Sequence, residues 1–256
     1  MKVVFFGTAG AVQSASDGNV CFALKGESCS LLVDASDSPV HNLLKAGLDP
    51  LALDAVVLTH SHTDHIYGMP SLIHNLWLMK RGKPLRIISN THTATKTKEL
   101  LELFGLLTRE GLFPFEWIDG ENGAVEMETS LTVKLFPVYH SVPTSGVRFE
   151  EGAAFVYTSD TAPFDGVTAA SRGCRALIHE ASGDSSREKY LNQAGHSSAR
   201  QAGEAAAQSG VGRLFLCHFD YFGGPSPEEL RREAQSRFSG EVIIPERFKE
   251  YEIRDA

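Results

Sequence analysis

The sequence has no apolar run of 18 residues, which is the length that a membrane-spanning helix needs. Its first apolar stretch, within residues 1–7, is also too short for the apolar region of a signal peptide. Both absences argue against a membrane-spanning or secreted protein. We therefore expect a cytoplasmic protein that has no membrane partner.

Cysteine is scarce, and the four cysteines are scattered. Cys21, Cys29, Cys174 and Cys217 lack the close paired spacing of a disulfide framework or of a cysteine-type zinc site. We expect them to fill space in the core.

Basic residues are outnumbered, with 24 Lys and Arg against 32 Asp and Glu and a formal net charge of -8. This balance disfavours nonspecific binding to nucleic acid. One local basic group could meet phosphates, although we interpret it as a solvated helix end: Lys80, Arg81, Lys83 and Arg86.

Linkers, repeats and low-complexity segments are also missing, so we expect a single domain over residues 1–256. Gly7 and Gly10 resemble half of a nucleotide-binding fingerprint, but no third glycine opens a helix there. We interpret this segment as a tight turn.

Against this background, residues 59–65 stand out, because three histidines and an aspartate occupy one turn after the apolar run Ala55–Leu58. The segment reads Thr59-His60-Ser61-His62-Thr63-Asp64-His65. Imidazole nitrogens and carboxylate oxygens are ligands for zinc and its neighbours in the first transition row. The pattern predicts a metal site, and the alternative is a solvated His-rich turn.

Four further apolar strands end in residues that can bind a metal or transfer a proton. They are followed by His140, by Asp160, by His179 and Glu180, and by His218. Since ligand sites in α/β folds lie at the ends of strands, we expect these side chains to converge on one rim of a sheet. Taken alone, Asp160 would be a surface turn residue, His140 a strand-end hydrogen bonder and His218 a core histidine.

Helix signals complete the second half of the chain. Ser198 and Gln201 fit a capping box that starts a helix, so His196 lies just ahead of a positive helix terminus. Ser226 and Pro227 start another helix that we expect to end near Gly240. Two halves, each with strands and helices, predict two sheets packed face to face with helices outside.

The remaining histidines have ordinary predicted roles. We expect His41 on the surface, His74 within a helix and His92 in a loop. Alternation along the strand turns His179 to the side opposite Glu180. Asp34 is a candidate for orienting a metal-binding histidine.

The motif His60-Ser61-His62-Thr63-Asp64-His65, followed in order by His140, Asp160 and His218, resembles the metallo-β-lactamase-fold hydrolases. The resemblance implies an α/β fold, a four-layer αββα sandwich, with two divalent metal ions at the rim between the sheets. It implies that His60, His62 and His140 hold one ion, that Asp64, His65 and His218 hold the other, and that Asp160 bridges them. We expect zinc, with manganese, iron or nickel as alternatives because imidazole suits several metals.

Two further segments resemble the ribonuclease Z branch of that superfamily, including its phosphonate-pathway phosphodiesterase relatives: residues 177–182 with His179 and Glu180, and residues 194–199 with His196. This resemblance implies phosphodiester hydrolysis by a metal-bridging hydroxide. Glu180 would orient His196, and His196 would assist the leaving group. We therefore expect His196, Glu180 and Asp64 to be catalytic.

The interval from His140 to Asp160 carries no inserted arm of the kind that grips tRNA in ribonuclease Z. We therefore expect a small or cyclic phosphodiester substrate, with RNA and a tRNA 3′-processing activity as the alternative. The resemblance also implies a homodimer. A thioester or lactone hydrolase of the same fold is compatible with the motif as well, and so is a metal-holding protein that binds a small ligand without catalysis.

Overall fold

The computed structural model describes residues 1–127 and 130–254 and contains two seven-stranded sheets. The strands of the first sheet are β1 (Lys2–Gly7), β2 (Cys21–Lys25), β3 (Ser30–Val33), β4 (Ala55–Val57), β5 (Leu85–Ser89), β6 (Phe115–Asp119) and β14 (Glu250–Glu252). The strands of the second sheet are β7 (Val125–Glu126), β8 (Thr132–Val138), β9 (Thr144–Glu151), β10 (Ala153–Tyr157), β11 (Ala176–Glu180), β12 (Arg213–Cys217) and β13 (Glu241–Ile243).

Eight helices accompany these sheets in the described residues. They are α1 (Pro39–Lys45), α2 (Thr63–Ile66), α3 (Met69–Leu78), α4 (Thr91–Leu103), α5 (Asp165–Ser171), α6 (Glu188–Ala194), α7 (Ala199–Ser209) and α8 (Pro227–Gln235). Six of them, α1, α3, α4, α5, α7 and α8, pack on the outer faces of the sheets, and α2 and α6 lie at the rim. Short 3-10 turns span Pro50–Ala52 and Ser185–Arg187. None of the helices in the described ranges is long and apolar enough to cross a membrane.

Three apolar clusters define four layers. The central cluster joins the two sheets, with Phe5 of β1 5.4 Å from Phe22 and 6.0 Å from Phe215 between ring centres. A second cluster packs the outer face of the first sheet on α1, α3 and α4, and a third packs the second sheet on α5, α7 and α8. The predicted αββα sandwich is confirmed.

Strand direction brings the ends of several strands to one rim. β3 to β6 are parallel in the first sheet, and β10 to β13 are parallel in the second. Parallel strands place their carboxyl ends at the same edge. The segments that follow β4, β10 and β12, which carry His60, Asp160 and His218, therefore leave the sheets at the same end.

The 140–160 interval contains a strand that the sequence interpretation missed. β9 pairs antiparallel with β8 and with β10, and Gly152 turns the chain between β9 and β10 at φ 70°. Gly146 interrupts the apolar pattern of β9 for a steric reason, because a Cβ there would lie 2.4 Å from the Phe136 ring. A glycine required by packing therefore obscured the strand.

Several predicted helix boundaries are wrong. The helix after Ser226 ends at Gln235 rather than near Gly240, and α4 begins at Thr91, which places His92 in a helix rather than in a loop. Helix ends depend on local hydrogen bonds, so pattern alone locates them poorly.

The basic group at residues 80–86 is only in part the solvated helix end that the sequence predicted, because Lys80 and Lys83 are exposed but Arg81 is buried. Arg81 is 5% exposed and donates to the backbone carbonyls of Leu51, Leu53, Lys83 and Pro84. Lys83 pairs with Asp54 and Arg86 with Glu116, at the amino end of β5 and away from the histidine rim. These contacts give Arg81, Lys83 and Arg86 structural roles. All four cysteines are buried, as predicted.

Candidate metal centre

The His-rich segment changes direction immediately after β4. His62 occupies the N-cap position of α2 in an extended conformation, with φ -65° and ψ 151°. The short helix then carries Asp64 and His65 back toward the sheet. One turn of chain therefore aims His60, His62, Asp64 and His65 into the same rim.

The predicted ligands fall into two groups in space. The first contains His60, His62, His140 and Asp160, and the second contains Asp64, His65 and His218; within each group, one nitrogen or carboxylate oxygen per residue lies within 4.8 Å of the others. Seven residues from separate segments of the chain are thus brought together as predicted. The described chain has one more such group, in which His196 joins Asp160 and His218.

Asp160 lies between the two groups. Its Oδ2 atom is 3.0 Å from His218 Nε2 and 3.6 Å from His65 Nε2 on one side. On the other side it is 3.7 Å from His60 Nε2 and 3.9 Å from His140 Nε2. A carboxylate in this position can serve as a ligand to two ions.

Buried polar atoms without a partner mark the centre of this cluster. His60 Nε2, His65 Nε2, His218 Nε2 and Asp160 Oδ1 are all buried and make no hydrogen bond. Buried polar groups are nearly always satisfied, and each of these atoms is a metal-ligand atom. Their convergence fits a bound divalent cation.

Asp34 holds the opposite nitrogen of His65, as the sequence suggested. The Asp34 Oδ2 atom lies 2.8 Å from His65 Nδ1, and the Asp34 side chain also accepts from the Thr59 backbone and hydroxyl. Thr59 Oγ1 in turn lies 3.1 Å from Nδ1 of His60. A proton fixed at Nδ1 leaves Nε2 as the ligand atom.

Two other imidazoles are oriented by groups that the sequence interpretation did not single out. His140 Nδ1 donates to the carbonyl oxygen of Gly195 over 2.8 Å, and His218 Nδ1 lies 2.9 Å from Ser182 Oγ. The Gly195 contact could not be predicted from residue types, because it is made by a backbone carbonyl. Ser182 could have been considered as a partner, because it is polar and lies two residues after Glu180.

Left-handed backbone conformations occur at the strand ends that carry this network. Asp34 has φ 57°, Ser159 has φ 56° and His218 has φ 59°. Such values are uncommon outside glycine and cluster at sites where surrounding contacts hold them. Here they turn side chains into the cluster directly after β3, β10 and β12.

The electrostatics of the cluster favour a cation. Burial lowers the pKa of the His65 imidazole, but the carboxylates of Asp160 and Asp34 outweigh burial and raise that pKa well above its ordinary value. Burial also lowers the pKa of His218, but Asp160 and Asp64 outweigh burial and raise that pKa to about 10. Burial would raise the pKa of Asp160, but His218 and His65 hold it well below its usual range. The Asp160 carboxylate is therefore ionised.

The first group contains neutral imidazoles. Burial lowers the pKa of His60 well below its ordinary value, and it also lowers the pKa of His62 and of His140. Neighbouring imidazoles also lower these pKa values, and Asp160 opposes them without outweighing burial. His62 Nδ1 and His140 Nε2 lie 3.1 Å apart. Neutral imidazole is the form that binds a metal ion.

Glu180 and His196 form a pair beside the cluster. Both Glu180 oxygens lie 3.2 Å from His196 Nδ1, and Glu180 is fully buried. The carboxylate also accepts hydrogen bonds from the Thr161 backbone and from Ser182 Oγ. Burial would lower the pKa of His196, but Glu180 outweighs it and raises that pKa. This imidazole is therefore favoured in its protonated form.

The local fold sets the position of His196. The predicted capping box is present, with Ser198 and Gln201 exchanging hydrogen bonds at the start of α7. The His196 ring stacks on His218 with centres 5.2 Å apart and packs edge-on against His140 at 4.8 Å. The acid candidate thus contacts one imidazole from each ligand group.

The other histidines lie outside the ligand groups. His179 Nδ1 donates to the Glu180 carbonyl, and the side chain lines a cavity of about 210 Å³ between α5 and α7 on the outer face of the second sheet. His74, within α3, bonds Arg109, and His92 is part of α4.

The comparisons with known proteins agree with this geometry. A family model described as beta-lactamase superfamily domain matches residues 30–219. A ribonuclease Z from Halorubrum lacusprofundi is 24% identical, with an alignment that covers 96% of this chain and 95% of that protein. The fold of the metallo-beta-lactamase fold protein YhfI from Bacillus subtilis is similar, with a TM-score of 0.82, 26% identity and 98% of each chain covered.

A crystal structure of the short form of human tRNase Z also shares the fold, with a TM-score of 0.80, 23% identity and complete coverage of both chains. The family match spans most of the sequence and includes His60, Asp160 and His218. This protein belongs to the beta-lactamase superfamily.

Proposed function

We propose that this metal-dependent hydrolase cleaves phosphodiesters, and that its substrate is a small or cyclic diester. The observation that carries the proposal is the Glu180 and His196 pair, held 3.2 Å apart beside a cluster of histidines and aspartates. The name ribonuclease Z, borne by a relative that aligns along nearly the whole chain, supports a phosphorus centre as the target.

In this proposal the seven clustered side chains hold two divalent ions, with zinc as the expected metal. His60, His62 and His140 would hold one ion and Asp64, His65 and His218 the other, with Asp160 between the two groups as a shared ligand. When bound, such ions activate water and neutralise the charge that develops on phosphorus. Asp64 is also assigned a catalytic role, because its carboxylate lies 3.4 Å from His65 Nε2 and 3.7 Å from His218 Nε2 and is partly exposed to solvent.

His196 supplies the proton that the leaving oxygen takes up. In diester hydrolysis a water oxygen bonds to phosphorus and loses a proton, one P–O ester bond breaks, and the departing oxygen takes up a proton. The imidazolium of His196 is 21% exposed at its side chain and can reach that oxygen. Glu180 holds the Nδ1 proton, so Nε2 is the atom that donates.

The preference for a small substrate rests on segments that a ribonuclease Z relative has and this chain lacks. The alignment with the Halorubrum ribonuclease Z runs over 298 positions, more than the 256 residues of this chain, so that protein carries inserted residues with no counterpart here. Between His140 and Asp160 the chain forms only β9 and β10. The net charge of -8 also disfavours a large polyanion.

A tRNA 3′-processing endonuclease is the second candidate, and the names of the relatives favour it. An activity screen of the metal-loaded protein distinguishes the two. We expect turnover of chromogenic diesters and of cyclic nucleotides or cyclic phosphoribosyl diesters. Cleavage of precursor tRNA at much higher kcat/KM would favour the second candidate, and turnover only of thioesters or lactones would contradict both.

Replacement of His196 tests its assignment as an acid rather than as a ligand. The variant His196→Ala should keep its metal content and lose about 10² to 10⁴-fold in kcat, which is the usual contribution of a general acid. His140→Ala is the matched control, since it removes a proposed ligand from the contacting ring and should reduce metal content. Loss of metal from His196→Ala would contradict the acid role.

A further inference from the structure

Two cavities flank the metal cluster. One, of about 290 Å³, is lined by His196 and His218, and we call it the His196 cavity. The other, of about 610 Å³, is lined by His62 and Asp64, and we call it the His62 cavity. Ala11 and Val12 line both, so one loop separates them. A diester centred on the cluster would extend one substituent into each cavity.

The two cavities differ in charge. Arg187 is the one lysine or arginine among the described residues that line either of them, and its partner Asp220 lines the His196 cavity as well. The His62 cavity instead contains the polar side chains of Gln13, Asn19 and Tyr67 beside the Asp64 carboxylate. An anionic substituent would therefore be favoured in the His196 cavity and disfavoured in the His62 cavity.

The Arg187 guanidinium uses only one of its N–H groups in a hydrogen bond within the described residues. Its Nη1 atom lies 3.2 Å from Asp220 Oδ2, and within residues 1–127 and 130–254 its side chain makes no other hydrogen bond. A guanidinium has five N–H donors in a planar fork that matches carboxylate and phosphate groups. With 37% of its side chain exposed, the remaining donors are open to a ligand.

Tyr190 lies beside this arginine. It belongs to α6, which follows the 3-10 turn directly, lines the same cavity, and is 65% exposed. The Arg187 guanidinium lies 5.8 Å from the centre of its ring. The pair offers a cation next to an apolar ring face, which suits an organic group that carries a negative charge.

We propose that Arg187 makes the enzyme selective for diesters whose leaving group carries a further anionic substituent, with Tyr190 packing on the organic part of that group. This inference rests on the proposed function, because His196 fixes which side the leaving group occupies. His196 lines the same cavity as Arg187. The oxygen that receives the proton therefore belongs to the substituent in that cavity.

Three dinucleotide substrates test this selectivity: adenylyl-adenosine, the same compound with a 5′-terminal phosphate, and the same compound with a 3′-terminal phosphate. The products identify the leaving nucleoside, because the new phosphomonoester is on the other fragment. We expect a phosphate on the leaving fragment to raise kcat/KM about 10-fold, the lower range for a hydrogen bond to a charged group. A phosphate on the other fragment should bring no such gain.

The same ratio in variants assigns the effect to Arg187. Arg187→Gln should reduce the ratio to about 1, and Arg187→Lys should retain part of it. Arg231→Gln is the matched control, since Arg231 has an equally exposed side chain, is also paired with a carboxylate, and lines neither cavity. It should keep the wild-type ratio.

Two results would overturn the inference while leaving the proposed function intact: a wild-type ratio near 1, or an undiminished ratio in Arg187→Gln. Failure of the metal-loaded wild-type protein to cleave any dinucleotide or chromogenic diester would instead contradict the proposed function, and the inference with it.

Discussion

At the scale of single residues, four of the clustered imidazoles use their two ring nitrogens differently. Nδ1 of His60, His65, His140 and His218 has a neighbour that can bond it, and Nε2 faces the cluster. The neighbours differ in chemistry: a hydroxyl for His60 and His218, a carboxylate for His65 and a backbone carbonyl for His140. Because each partner fixes the tautomer, loss of a partner should weaken metal binding without removing a ligand.

Asp34 provides the clearest test of this arrangement. Asp34→Asn should weaken metal affinity about 10- to 100-fold, the range for partners of metal-binding histidines, because an amide cannot replace the charge beside His65. Titration with a competing chelator measures the affinity. Asp37→Asn is the control, since that carboxylate contacts Gln13 and Tyr67 rather than an imidazole. Equal affinities in Asp34→Asn and wild type would contradict the role.

The pH profile of kcat tests the Glu180 and His196 pair. Glu180 raises the pKa of His196, so the protonated acid is present below that raised pKa, and activity is lost as the pH rises through it. Glu180→Gln removes the charge, so the alkaline loss of activity should move to lower pH. An unchanged profile in this variant would argue that another group titrates.

At the scale of elements, the sequence located strand ends better than helix ends. The strands before His60, His140, Asp160 and His218 could be predicted because each apolar run stops at a polar residue. The helix start at Ser198 could be predicted because a capping box requires specific residue types. Strand β9 could not be recognised in the sequence, because Gly146 interrupts its apolar pattern. That glycine is required by the Phe136 ring of the neighbouring strand β8, not by the residues of β9 itself. The Gly195 carbonyl that holds His140 has no side-chain signature at all.

Gly203 shows a packing requirement of this kind between α7 and α8. Alanine normally stabilises a helix by about 1 kcal/mol relative to glycine. Here a Cβ would lie 2.4 Å from the Ala234 carbonyl oxygen, so the two backbones must separate. Gly203→Ala should therefore lower the free energy of unfolding, by roughly 1 to 3 kcal/mol, as measured by urea denaturation.

Gly82→Ala is the control for that measurement, because no atom lies within 4 Å of its added Cβ. It should be close to neutral. A stabilised Gly203→Ala would show that α7 and α8 do not pack as closely as described. Since α7 begins three residues after His196, the same variant should also reduce turnover.

At the scale of the whole molecule, the two sheets meet over a buried aromatic core, and buried polar atoms that make no hydrogen bond cluster at one rim. The four-layer fold and the clustering of the seven candidate ligands were predictable because the motif order resembles a known family. The cavities were not, since Ala11, Arg187 and Tyr190 are ordinary in type and Ala11 is distant from the other two in sequence. Their proximity is a product of the fold.

Metal removal should be visible in global stability. An ion held at 100 times its Kd adds about 2.7 kcal/mol to the folded state. For a chain of this size, removal of each such ion should lower Tm by about 5 to 10 °C, as measured by calorimetry before and after chelation. Re-addition of metal should restore Tm, and no change on chelation would contradict a built metal site.

The central claim is that this cluster hydrolyses phosphodiesters with bound metal, and His62 tests it most directly. His62 is half-buried and lies at the N-cap of α2, so its replacement leaves the core intact. The measurement is the rate at which metal-loaded His62→Ala hydrolyses bis(4-nitrophenyl) phosphate relative to wild type. We predict a loss of about 10³-fold or more, since a metal ion contributes several kcal/mol to such a barrier. Full activity in His62→Ala would contradict the account.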